Sequence, residues 1–295
     1  MEIFLQFFLS GVTVGAIYAL IALGFNIVYN TTSILNLAQG EFVVLGGLFM
    51  WLFFQKMELP YYISFFLTLL TAGIFAFLME RLTIKPLLKT GDPLLLILIT
   101  IAFSILLKGL LMFIFGKDPY GYPPLLEGMP ILLGGAVIQK QVLVILAFIL
   151  LTMIFLYFFF NKTILGKAMK ACAFDQVAAQ LMGINISRMV MLSFVLSGIF
   201  AALAGILITP ITFMEYDRGA ILTIKAFTAS ILGGLGSIWG AIAGGFILGI
   251  AENLVAGYIH SGLKDAISLV LLLIMLLLKP AGLFQKEEEV RLKKL

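Results

Sequence analysis

Asn161-Lys-Thr-Ile-Leu-Gly-Lys-Ala-Met-Lys-Ala-Cys-Ala-Phe-Asp-Gln-Val-Ala-Ala-Gln-Leu-Met-Gly-Ile-Asn185 decides how the chain is organised. Its alanines favour helix, no proline interrupts it, and Gly183 supplies a left-handed stop, so it predicts roughly four helical turns. Four charged side chains make this helix too polar to enter a bilayer, and it is shorter than the roughly 20 residues a crossing needs. Both flanks, Val142 to Phe160 and Met189 to Phe213, are apolar and close to that length. A surface helix held between two membrane spans follows. Leu165, Met169, Cys172, Ala179 and Met182 recur at helical spacing, while Lys167, Lys170 and Gln180 point elsewhere. Such an apolar face calls for a groove in a partner.

The whole 295-residue chain is 62% apolar and 12% charged, with a mean hydropathy of +1.15. A water-soluble fold is excluded, because only a bilayer core tolerates so few charges. The formal charge of +4 reads as charge sidedness and not as nucleic-acid binding. One cysteine, Cys172, and one histidine, His260, exclude a disulfide framework and a thiolate metal cluster, so no metal site is expected. The amino terminus lacks the basic start of a cleavable signal, and the first apolar segment is expected to stay.

Apolar runs lie at Ile3 to Val28, Ile34 to Phe54, Tyr61 to Met79, Leu94 to Phe115, Val142 to Phe160, Met189 to Phe213, Leu222 to Leu235, Ile238 to Gly257 and Ile267 to Leu278. The expected fold class is all-α: a polytopic transmembrane helical bundle of about eight or nine spans. Leu222 to Leu235 is short and glycine-interrupted, which predicts a broken or re-entrant helix. Three basic clusters predict cytoplasmic loops: Arg81, Lys85 and Lys89; Lys162, Lys167, Lys170 and Arg188; and Lys279 with Arg291, Lys293 and Lys294. The proline-rich Gly116 to Lys140 loop then lies outside, as a stiff, partly extended lid or connector.

Leu9-Ser10-Gly11 recurs as Leu196-Ser197-Gly198, and Leu45-Gly46-Gly47 recurs as Leu232-Gly233-Gly234, at one common separation. Five expected crossings separate the copies, which predicts an inverted-topology repeat. Residues 1–285 are read as one transmembrane domain, with halves at about 1–160 and 189–280, a cytoplasmic segment at 161–188 and a charged tail at 286–295. Gly11 with Gly15, and Gly236 with Gly240 and Gly244, predict close helix contacts within the subunit.

Gly166, Lys170-Ala171, Asp175, Ala178-Ala179 and Gly183-Ile184 resemble the cytoplasmic loop of bacterial ABC-importer permeases, above all the branched-chain amino-acid permeases of LivH type. Gly15 to Tyr29, Asn36-Leu-Ala-Gln-Gly-Glu41, Leu232 to Ala241 and Lys279-Pro-Ala-Gly-Leu-Phe284 are similar to the same family, so the resemblance covers the whole chain. It implies a subunit of the bacterial inner membrane that passes branched-chain or similar apolar amino acids inward. It implies a second permease, homologous or identical, two ATPase subunits carrying ATP and Mg, and a periplasmic substrate-binding protein. It assigns ATPase coupling to Gly166, Lys170, Ala171, Asp175, Ala178 and Gly183. Lys170-Ala171-Cys172 departs from the wider motif, in which a glutamate precedes the alanine pair. The residues agree independently: no G-x-x-x-x-G-K-[ST] occurs, so no phosphate-cradling loop is present and no cofactor is expected on this chain.

Ionisable and amide side chains inside apolar runs point to function. Asn36, Gln39, Glu41, Lys225 and Glu252 are the candidates for the translocation path, with a Glu41–Lys225 pair one arrangement. For Glu41 and Glu252, a structural interhelical hydrogen bond or ion pair stands at least equal to contact with cargo. Lys108 lies near enough the end of its run to snorkel. Two other classes fit less well: an ion-coupled secondary transporter working through Glu41 or Glu252, and a membrane scaffold whose surface helix recruits a partner.

Overall fold

The computed structural model describes residues 2–88, 92–126, 128–133 and 135–284. Lys89 and the 286–295 tail lie outside the described residues. In hydrocarbon every backbone polar group needs an internal partner, and helices dominate accordingly. In chain order they are α1 (Glu2–Thr32), α2 (Gln39–Trp51), α3 (Tyr61–Met79), α4 (Lys85–Leu87), α5 (Pro93–Phe115), α6 (Lys140–Lys162), α7 (Ile164–Phe174), α8 (Gln176–Leu181), α9 (Ile186–Thr212), α10 (Gly219–Gly233), α11 (Ile238–Tyr258) and α12 (Lys264–Leu278). π-Helical turns extend α2 through Leu52–Lys56 and join α3 to α4 through Glu80–Ile84.

Among the described residues, seven helical segments are long and apolar enough to cross a membrane, counting Tyr61–Leu87 as one and Ser261–Leu278 as one, and α10 is a shorter apolar helix. The expected count of eight or nine includes Ile34 to Phe54 as one span, but α2 begins only at Gln39. Leu222 to Leu235 is not broken internally either: α10 runs continuously to Gly233, and the helix gap precedes it at Phe213–Arg218. The all-helical expectation has a minor exception, a hairpin of β1 (Ile131–Leu133) with β2 (Ala136–Ile138) in the Gly116–Lys140 loop.

Helices α1 and α9 form the buried centre, α1 being enclosed from Gly15 to Val28. Their packing is crossed: α1 lies against α10 and α11, whereas α9 lies against α2 and α3. Glycine makes the α1–α11 approach possible, since a Cβ at Gly249 would collide with the Gly15 backbone, and one at Gly11 with Ile250. These contacts fall within one chain. Helices α3, α5, α6 and α12 present outward apolar side chains such as Phe66, Ile105, Phe155 and Leu273.

The Gly116–Lys140 loop is tied to the bundle. Tyr120 and Met214 exchange backbone hydrogen bonds of 2.9 and 2.7 Å, and the Tyr120 ring lies 4.0 Å from that of Trp51. The buried Tyr122 hydroxyl donates to the Ile206 carbonyl at 2.6 Å, and burial holds that phenol well above its ordinary pKa.

Candidate transport site and coupling helix

The polar run Thr31, Thr32, Ser33 and Asn36 ends α1 and starts α2 by side-chain competition for the backbone. Thr31 and Thr32 hydroxyls donate back to Ile27 and Val28 carbonyls at 3.1 and 2.7 Å. Ser33 takes a φ of 57°, and Asn36 Oδ1 accepts from the Ala38 N–H at 3.1 Å. The chain thus returns along α1 in non-helical form before α2 begins beside Ser197, near the middle of α9. Gln39 fixes that position: its Oε1 accepts from Ser197 Oγ at 2.6 Å and its Nε2 donates to the Ser197 carbonyl at 3.2 Å. Asn36 Nδ2 also donates to Gln39 Oε1, at 3.4 Å.

The start of α10 meets the start of α2 here. Gly219 carbonyl occupies the space a Gly40 Cβ would need, and the Gly40 N–H donates to Thr223 Oγ1 at 2.8 Å. One short helix therefore caps the other. From this junction α2 runs towards Trp51 and Tyr120, while α10 runs to Gly233, packed against Gly240 at the start of α11. Both positive helix ends converge beside Glu41, which is 1% exposed. Its Oε1 accepts from Ser104 Oγ at 3.1 Å, and its Oε2 is buried with no hydrogen-bond partner among the described residues. Lys108, one turn beyond Ser104, places Nζ 5.6 Å from the Tyr216 ring centroid.

Lys225 does not pair with Glu41. It bonds Glu252 Oε2 at 3.1 Å and Asp265 Oδ1 at 2.8 Å. Tyr18 Oη donates to the same Glu252 oxygen at 2.8 Å, and Lys225 Nζ lies 5.4 Å from the Tyr18 ring centroid. The five residues expected on the path thus divide into two clusters: Asn36, Gln39 and Glu41 at the junction, and Lys225 with Glu252 between α1, α10, α11 and α12. In the second, a buried charge is neutralised by its partners, as low dielectric requires.

At the 161–185 stretch the expected single helix is two. α7 ends at Phe174, and Asp175, with φ −155° and ψ 112°, caps α8 by accepting from Val177 and Ala178 N–H at 2.8 and 3.0 Å. A carboxylate at an N-cap outcompetes helix propensity there. The apolar face is also redistributed. Met169, Cys172 and Ala179 are buried against the chain itself, whereas Phe174, Val177, Leu181 and Met182 are exposed. Gly166 lets α7 fold onto the end of α6, where a Cβ would strike the Phe159 carbonyl. Gly183 takes φ +84° and ends α8. Lys170 turns back, donating from Nζ to Asn161 Oδ1 at 2.8 Å, and Gln176 ties α8 to the end of α1 through the Thr31 carbonyl at 3.0 Å. Ala171 is half-buried and Ala178 exposed.

The family model described as branched-chain amino acid transport system, permease component, matches residues 7–278. The chain belongs to this family. Among relatives of this permease, the high-affinity branched-chain amino acid transport system permease protein BraD of Pseudomonas aeruginosa is 32% identical, covering 97% of each chain. The corresponding LivH protein of Escherichia coli is 33% identical over 97% of this chain and 96% of its own. In fold, the permease is similar to PsaBC from Streptococcus pneumoniae in complex with Fab, with a TM-score of 0.50, 13% identity, and coverage of 98% and 95%. It is accordingly a multi-pass membrane transport subunit and not a catalytic ATPase.

Sequence reasoning missed Ser104, Ser197, Thr223, Tyr18 and Asp265 as members of these clusters. Signals for some exist: Ser104 lies one turn from Lys108 in a run with few other polar residues, Ser197 belongs to the recurring Leu-Ser-Gly, and Tyr18 lies in the permease-like Gly15–Tyr29 stretch.

Proposed function

We propose that this permease forms the membrane path of an ATP-driven importer for branched-chain or similar apolar amino acids. It works with a second permease, homologous or identical, two ATPase subunits that bind ATP and Mg, and a periplasmic binding protein. The α7–α8 elbow lies on the cytoplasmic side of the inner membrane and is the coupling element. Gly166, Asp175 and Gly183 set its shape, Ala171 and Ala178 line it, and Lys170 anchors α7 to α6.

The observation that carries this reading is the elbow itself: Phe174, Val177, Leu181 and Met182 stand exposed on a helix pair rigidly tied to α1 and α6. Exposed apolar side chains on a rigid rod suit a partner's groove. ATP-driven closure there would shift α1 and α9, and with them the Gly40–Gly219 junction, towards one of two states. The two halves are read as inverted repeats, each lending its first long helix to the other's second and third, which fits the crossed packing of α1 and α9. Residues 1–285 act as one transmembrane unit, and Asn36, Gln39 and Glu41 are the polar part of the path. Lys225 and Glu252 flank it as a structural pair.

A photoreactive side chain introduced at Val177 tests the reading in native membranes. Cross-linking to an ATPase that changes with bound nucleotide is the expected result. Gradient-driven uptake by vesicles containing this chain without an ATPase would instead favour an ion-coupled transporter.

A further inference from the structure

A cavity of about 530 Å³ lies at the α7 end of the bundle, between α1, α6, α7 and α11. Its lining changes character along the helix axes. Asn30, Asn161 and Lys170 stand at the α7 end among apolar side chains such as Met169 and Phe284, whereas Met153 on α6 and Ile242 on α11 lie farther from α7 and are apolar. Met153 and Asn161 are two turns apart, about 12 Å along α6. Polar groups gathered at one end of a mainly apolar cavity match an amphiphile standing parallel to the helices. Trp239, 60% exposed, lies on the wall, and exposed indoles favour the boundary between headgroups and acyl chains.

Charge identifies the headgroup. Between Asn161 and Arg188 the chain carries Lys162, Lys167, Lys170 and Arg188 against the single acid Asp175. Lys170 Nζ bonds a neutral amide oxygen, Asn161 Oδ1, and among the described residues it pairs with no carboxylate. A cation at a membrane boundary with a cavity beside it selects a phosphate-bearing lipid of net negative charge.

We propose that this cavity binds one anionic glycerophospholipid, its phosphate against Lys170 and Asn161 and one acyl chain between α6 and α11. The lipid then fills the space beneath α7. The site is independent of which solute crosses the membrane.

The chain has two tryptophans, so Trp51→Phe leaves Trp239 as the sole indole reporter. The full-length variant is reconstituted into phosphatidylcholine nanodiscs containing a minor fraction of acyl-brominated phosphatidylglycerol or, separately, acyl-brominated phosphatidylcholine. The expected result is stronger Trp239 quenching by the brominated phosphatidylglycerol, a preference lost with Lys170→Glu and kept with Lys170→Arg. One cation near an anionic lipid corresponds to a preference of about fivefold. Equal quenching by both lipids would mean ordinary bilayer contact and overturn the proposal, as would absence of quenching by either. A preference unchanged by Lys170→Glu overturns the assigned headgroup contact.

Discussion

The carbonyl of Gly219 fills the volume where Gly40 would carry a side chain. Two short helices from opposite halves of the chain therefore touch backbone to backbone, and Thr223 caps one from the other through a 2.8 Å bond to the Gly40 N–H. Replacing Gly40 with alanine forces α2 and α10 apart. Overpacking of this kind costs about 1–3 kcal/mol, and a lowered Tm in detergent is the expected outcome. Gly109→Ala is the control, because nothing lies within 4 Å of its Cβ position and alanine favours helix; its Tm should hold or rise.

Lys225 supplies the cation that Glu252 needs at 0% exposure. Lys225→Met leaves the carboxylate buried with Tyr18 as its hydrogen-bond donor, and a loss of about 3–5 kcal/mol is expected. Adding Glu252→Leu removes the stranded charge. The double variant should recover most of the lost stability, which a double-mutant cycle by denaturation measures. A double variant as unstable as the sum of the singles would count against this account.

Asp175 joins α7 to α8 by capping, so the cap and not the charge should matter. Asp175→Ala is expected to lose about 1 kcal/mol of local helix stability and to lower uptake per ATP hydrolysed. Asp175→Asn and Asp175→Ser, which keep a cap acceptor, should retain coupling. Equal uncoupling in all three variants would assign the residue to a charge contact with a partner.

Cys172 is 3% exposed, and burial pushes its thiol above the ordinary cysteine pKa. A raised pKa means less thiolate at neutral pH, and thiolate is the reacting form. Maleimide labelling in membranes should be slow at pH 7 and accelerate at a higher pH than for an exposed thiol. Denaturant should abolish the difference.

Much of this architecture is legible in the residues. The polar helix between Phe160 and Met189 is evident because its composition contrasts with both flanks, and the apolar runs locate every long helix. The start of α2 is harder. Ile34 and Leu35 are apolar and join naturally to Phe42 and Leu45, yet Thr32, Ser33 and Asn36 divert the backbone into local hydrogen bonds until Gln39. Hydropathy averages over such a break. The division of α7 from α8 escapes for a related reason: Ala171, Ala173, Ala178 and Ala179 all favour helix, and only the conformation of Asp175 turns its carboxylate onto Val177 and Ala178. Partnerships are the least legible part. Glu41, Lys225 and Glu252 are conspicuous as charges in apolar runs, but whether Lys225 meets Glu41 or Glu252 depends on how α10 is rotated against α11 and α12. That rotation is set by glycine contacts such as Gly233 on Gly240; glycine spacing marks Gly240 as a contact point but does not name its partner.

The paired backbone bonds between Tyr120 and Met214 give the connection preceding α10 a handle outside the bundle. A force that lifts the proline-rich hairpin loop pulls on Met214, and only four residues separate it from Gly219. Whatever grips that rim therefore has a short tether to the point where the two half-length rods abut.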